Sequence, residues 1–431
     1  MERLFELQKN KTTVKTEIVA GITTFLAAMY IIVVNPTILS QTGMSFNALV
    51  TATVLVSAFS SIAMGIYANN PILVAPGMGL NAYFAYSVVK GMGVPWSTAL
   101  GAVFWSGVIF VLLSVFNVRT LIVKAIPQQI RFGVAAGIGL FITLIGLVNA
   151  GFVVNGAGTP VSRGALAPGT LTFLAGLFIT SILVSKRIKG ALILGIALTT
   201  LLAAPIGRWW GAEPLVVWKG ALDTPDFSLF LRLDILGSLK LSLFGVIFAL
   251  LFTDMFDSLS TFVGVAEAGN LKDPDGEPRN IRESLIVDGA STLISGLFGT
   301  SPGTSYIESA AGIEEGGRTG LTAVVSGLLF LPFLFLAPLL SVVPPIATAP
   351  ALVLVGVFMM RPVIQVNWNA FDDAIPAFLA MVLIPLTYSI TQGIIWGFLS
   401  WTVVKFALGK REQIPPALWV IDVFCIVALI V

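Results

Sequence analysis

The chain contains no histidine, a single cysteine and few charges. Without histidine, no side chain changes charge near neutral pH at its ordinary pKa. Proton chemistry there would fall to carboxyl groups whose pKa burial has raised. One cysteine, Cys425, excludes a disulfide within the chain and any cysteine-rich metal cluster. Charged residues make up 11% of 431 positions, against about 25% in a soluble domain. What fills the chain instead is apolar: 56% hydrophobic residues and a mean hydropathy of +0.95. Its solvent is lipid. The charged start, MERLFELQKNKTTVKTE, leads to no small-residue cleavage site, and no removable signal peptide is expected.

Apolar runs of about 17 to 25 residues are long enough to cross a bilayer. Seven occupy 17–35, 46–67, 71–90, 94–116, 127–152, 169–185 and 190–206. Seven more occupy 236–256, 282–298, 300–314, 319–340, 343–361, 372–389 and 391–408. A last run, 416–431, contains Asp422 and could lie at the interface or pack on the bundle. With the N-terminus cytoplasmic, basic residues such as Arg119, Lys124, Arg318 and Lys405 fall on the inner side. The exceptions are Lys90, Arg163, Arg208, Lys219, Arg232 and Lys240, so the placement follows the positive-inside rule. Both main termini are then cytoplasmic. Seven spans per half is odd, so the halves would run in opposite senses, as inverted repeats do. The expected fold is an all-α polytopic membrane protein of fourteen segments in a 7+7 inverted repeat. Trp209, Trp210 and Trp218 suit an interfacial connection between the halves, 207–235.

Two spans are interrupted, the third of each set. Residues 71–86 read PILVAPGMGLNAYFAY, and residues 299–317 read GTSPGTSYIESAAGIEEGG. In each, a Pro-Gly pair precedes a helix-compatible segment, which predicts a short extended stretch followed by a half-helix. Irregular backbone at membrane depth is tolerated only where it is buried in protein or lines a watery cavity. Matched interruptions in two halves point to a transporter's binding site.

Ionisable residues within spans are expensive and mark functional sites. Glu308 follows the second break; a bland alternative has it offset a helix dipole. Asp254 and Asp257 lie three apart on one face of the eighth span; the alternative has both in water at its end. Asn81 offers a donor and an acceptor after the first break, or simply packs helices. Tyr83, Phe84, Phe298 and Tyr306 could stack on a planar ligand, and Ser305 belongs to the irregular stretch itself. Gly133 and Gly137 read as close helix packing, and Glu314, Glu315 and Arg318 as a solvated loop. Acids and an amide without a nearby cation suit a neutral, hydrogen-bonding heterocycle better than an anion. Protonation of a carboxylate would couple its binding to a proton gradient.

The segments GMGLNAYFAY, FTDMFDSLST and GTSPGTSYIESAAGI together resemble the azaguanine-like purine permeases, the hypoxanthine–guanine–adenine branch of the nucleobase:cation symporters. The resemblance covers essentially the whole chain. It implies a core domain of spans 1–4 and 8–11 (residues 1–126 and 236–341). This would move like an elevator against a gate domain of spans 5–7 and 12–14 (127–235 and 342–431). It implies that Asn81, Asp254 and Glu308 contact a purine and that Asp257 matters for function. Its partners would be a purine base, a proton or another cation, and the lipid of the cytoplasmic membrane, with no cofactor, metal or nucleic acid; a homodimer is compatible with the sequence, which does not give the oligomeric state. Ser309 after Glu308, with the next glycine only at Gly312, departs from the uracil and xanthine branch. Two rivals stand beside this reading: an anion carrier or channel on the same fold, and an intramembrane aspartyl hydrolase. The hydrolase would need its aspartates on two helices, whereas Asp254 and Asp257 share one.

Overall fold

Short polar residues ahead of apolar runs start several spans. Thr13, Ser45, Thr319 and Ser389 each accept a hydrogen bond from a backbone N–H in the first turn of the helix that follows. The computed structural model describes residues 2–116, 126–156, 158–209, 213–218, 220–273 and 276–430. Arg119, Lys124, Trp210 and Lys219 lie outside the described residues.

Fourteen segments cross the fold in two sets of seven. Span 1 is broken: helix Val14–Ala28 gives way at Met29 and Tyr30 to helix Ile31–Leu39. Spans 2, 4, 5, 6 and 7 are the helices Phe46–Tyr67, Trp96–Val115, Gln128–Asn149, Pro168–Ser185 and Ala191–Ala203. Span 3 is strand Val74–Pro76, a short helix Met78–Ala82 and a π-helical stretch Tyr83–Gly91. In the second set, spans 8 and 9 are helices Phe244–Gly269 and Ile281–Phe298. Span 10 is strand Gly303–Ser305 and helix Ser309–Glu314. Span 11 is Gly320–Phe330 with a tighter turn Leu331–Phe335, and spans 12 to 14 are Pro345–Met359, Phe371–Thr387 and Ile390–Ala407. Seven of the described helical stretches are long and apolar enough to cross a membrane unaided.

Two span limits and the placement of two basic residues differ from those expected. Span 8 starts eight residues later than the apolar run suggests and continues to Gly269, so Asp254 and Asp257 sit mid-helix rather than at its end. Span 11 loses its α-helix at Leu331, just before Pro332, whose ring cannot continue the hydrogen-bond ladder. Lys405 belongs to the last span, buried and paired with Asp372 at 2.7 Å and Asp373 at 2.6 Å. Arg318, expected in a solvated loop, is half-buried and donates to the carbonyls of Ile313 and Gly317.

Spans 4 and 9, 2 and 11, and 1 and 11 pack closely. So do spans 5 and 12, 5 and 13, 6 and 7, and 13 and 14. Glycines permit the contacts. A Cβ at Gly133 would stand 2.3 Å from the carbonyl oxygen of Ala377, and one at Gly137 2.8 Å from that of Met381. The terminal helix Pro416–Ile430 packs on spans 14 and 8, with Asp422 accepting from Thr402 at 2.5 Å.

Candidate substrate site

The two interruptions find each other. Strands Val74–Pro76 and Gly303–Ser305 pair antiparallel, with Val74 opposite Ser305 and Pro76 opposite Gly303. Each therefore satisfies backbone groups that lipid could not. The ladder extends at both ends: Gly77 N–H donates to Pro302 O at 2.8 Å, and Tyr306 N–H to Leu73 O at 2.9 Å. Tyr306 also donates its hydroxyl to Pro76 O at 2.5 Å. All six strand residues are buried.

Around this pair stand the acids. Asp254 is fully buried on span 8; its Oδ2 accepts from the Thr292 hydroxyl, while Oδ1 has no partner among the described residues. Asp257, one turn on, is half-buried. Glu308 lies at the start of helix Ser309–Glu314 and accepts from Tyr30 Oη at 2.6 Å. Asn81 is fully buried; its Nδ2 donates to Asn35 Oδ1 at 3.2 Å and its Oδ1 has no partner among the described residues. Ser305 donates its hydroxyl to Asp288 Oδ1 at 2.8 Å. Phe84 is fully buried, whereas the half-buried Phe298 ring packs on Phe59 and Phe230 at the end of span 9. Tyr83 points elsewhere, its hydroxyl 2.5 Å from that of Thr391 on span 14.

Sequence reading missed four polar residues. Asp288, fully buried on span 9, accepts from Ser258 as well as Ser305. An acid within an apolar span was the available signal. Tyr30 sits at the break in span 1, a feature no local pattern marks. Asn35 donates to Thr53 on span 2 and to Thr300 just ahead of the second break, each at 2.8 Å, and so links span 1 to both. Glu17 is buried at the head of span 1, accepting from Arg318 N at 2.9 Å and Thr322 Oγ1 at 2.6 Å.

The arrangement presents acceptors. Carboxylates and an amide oxygen converge on the breaks, and no lysine or arginine is bonded to Asp254, Asp288 or Glu308 among the described residues. Such a site suits a ligand with N–H donors.

The fold is shared with the transmembrane domain of a cyanobacterial bicarbonate transporter, BicA. The match has a TM-score of 0.64 at 16% identity and covers 89% of this chain and 97% of that one. It is shared also with SLC26A9, with a TM-score of 0.68 at 10% identity over 91% of this chain and 66% of the other. These likenesses carry the 7+7 inverted architecture. Sequence relatives are closer. The adenine permease AdeP of Escherichia coli is 41% identical over 100% of this chain and 96% of its own. The guanine/hypoxanthine permease PbuO of Bacillus subtilis is 40% identical over 99% of this chain and all of its own. These relatives are transporters, not enzymes, which removes the aspartyl hydrolase. With residues 15–395 matching its xanthine/uracil-type model as well, this multi-pass chain belongs to the Permease family.

Proposed function

We propose that the protein imports purine bases (hypoxanthine, guanine or adenine) together with protons across the cytoplasmic membrane, with both main termini inside. The observation that carries this reading is the pair of buried oxygens, Asn81 Oδ1 and Asp254 Oδ1, that have no hydrogen-bond partner among the described residues and lie beside the paired strands. An unsatisfied buried acceptor costs about 1–3 kcal/mol, which a ligand N–H would recover. A purine offers several such donors on a rigid plane. Asp254, Glu308 and Asn81 hold it, with Ser305 and Phe84 beside them, and Phe298 stands further out. Asp257 shares or tunes the proton carried by the acids, which titrate as a set. The full-length relatives that carry adenine or guanine and hypoxanthine in their names support the substrate class.

Spans 1–4 and 8–11 act as a core that carries the site, and spans 5–7 and 12–14 as the gate it slides against. The segregation of packing into these two sets supports that division. The test is uptake by purified protein in liposomes under an imposed pH gradient, acid outside. Labelled hypoxanthine, guanine or adenine should accumulate above equilibrium and stop doing so when the gradient is collapsed. Glu308→Gln and Asp254→Asn should each lower uptake by at least about tenfold, the worth of one charge-assisted hydrogen bond. Full activity in both variants, or no purine accumulation in the wild type, refutes the reading.

A further inference from the structure

We infer that Asn35 is a positioning residue that fixes which end of the Asn81 amide faces the ligand, so that the site demands an N–H donor there. The ligand class rests on the nucleobase reading above; the orientation does not. It follows from a chain of hydrogen bonds that begins outside the site. The Thr53 hydroxyl gives its one proton to the Leu49 carbonyl at 2.6 Å. Towards Asn35 it can only accept, and Asn35 Nδ2 donates to it at 2.8 Å. The second hydrogen of that Nδ2 goes to Thr300 Oγ1 at 2.8 Å. Asn35 Oδ1 is thereby turned towards Asn81 and Ser301, accepting from each at 3.2 Å.

Every donor and acceptor of Asn35 is used, and the residue is fully buried. Reversing its amide would set an oxygen against the lone pairs of Thr53, whose proton is committed to Leu49. Asn81, also fully buried, must then donate to Asn35, which leaves its own oxygen unpartnered. The two ends of an amide have nearly the same shape, so a relay of this kind is what distinguishes them to a ligand. Hypoxanthine and adenine are a matched pair of probes. At ring positions 1 and 6 one presents N–H and C=O, the other N and NH2, so donor and acceptor are exchanged.

Thr53→Val keeps the shape and removes the acceptor that anchors the relay. Affinities of hypoxanthine and adenine are measured on purified full-length wild type and Thr53→Val. Thermal unfolding of the ligand-free protein is followed in Thr53→Val, Asn81→Ala and the double variant. The wild type should separate the two bases by at least roughly tenfold, and Thr53→Val should bring them within about threefold. The Tm shifts should be non-additive by on the order of 2 °C, although Thr53 and Asn81 share no hydrogen bond. A general packing role for Asn35 would weaken both bases alike and leave their ratio unchanged. A wild-type ratio near one, an unchanged ratio in Thr53→Val, or additive Tm shifts overturns the inference. If neither base binds the wild type, the nucleobase reading fails, and the Tm cycle still decides whether the relay exists.

Discussion

Tyr30 touches Glu308 across 278 positions of sequence, and the contact has a measurable worth. Tyr30→Phe removes the hydroxyl and little else. Its loss should raise the KM for uptake about tenfold at unchanged expression, because a hydrogen bond to an acid contributes roughly 1.5–3 kcal/mol. An unmoved KM would leave Tyr30 a packing residue. Asp254, Asp257 and Glu308 were legible in the sequence because an acid in an apolar run is an anomaly whatever its partners. Asp288 is equally anomalous, an acid in an apolar span whose two hydroxyl partners, Ser258 and Ser305, come from other spans. Asn35 and Tyr30 carry no such mark. Their importance lies in partners brought from distant spans, and pairings of that kind are set by packing rather than by local composition.

Among the elements, the paired breaks were readable from Pro76-Gly77 and Pro302-Gly303, since each dipeptide ends one conformation and opens another. Their mutual register was not, because nothing in a three-residue strand names its partner. Helix limits were least legible where apolar composition runs past a turn. Residues 236–243 are apolar enough to read as span, yet they form short tight turns ahead of Phe244. Close helix contacts follow small residues more faithfully. Gly320 lies against span 2 so tightly that a Cβ would stand 1.9 Å from the carbonyl oxygen of Gly65. Backbone cannot step aside as a side chain can, so Gly320→Ala should lower the Tm of the purified protein by several degrees, the result of about 1–3 kcal/mol of overpacking. A variant as stable as the wild type would mean that spans 2 and 11 separate freely.

For the whole molecule, the seam between the proposed core and gate is where motion would be read. Span 3 meets the other set through Tyr83 and Thr391, and through Ser87, whose hydroxyl donates to the Tyr388 carbonyl. If the core slides on the gate, these contacts break in each cycle. Cysteines at positions 83 and 391, bridged by a short bifunctional thiol reagent that a reductant cleaves, should abolish uptake. Reduction should restore it. The one native thiol, Cys425, is buried and on the terminal helix, which keeps the background low. Uptake that persists in the bridged protein would rule out sliding at this seam. The fourteen-segment order was visible in the sequence through hydropathy and charge, whereas the proposed division into core and gate came only with the family resemblance, since it depends on which helices touch.

The antiparallel strand pair also bears on how the chain is made. Residue 74 pairs with residue 305, so the first strand, apart from Val74, whose N–H and carbonyl bond to Ser61 on span 2, emerges from the ribosome long before its ladder partners exist. Lipid would penalise those bare groups by several kcal/mol each, and closing so long a loop is slow. The expectation is that the first half stays incompletely settled until the second arrives. Residues 1–235 expressed alone should be degraded, and residues 236–431 supplied as a separate chain in the same cell should rescue them. Stable accumulation of the first half by itself would show that the strand is sheltered some other way during synthesis.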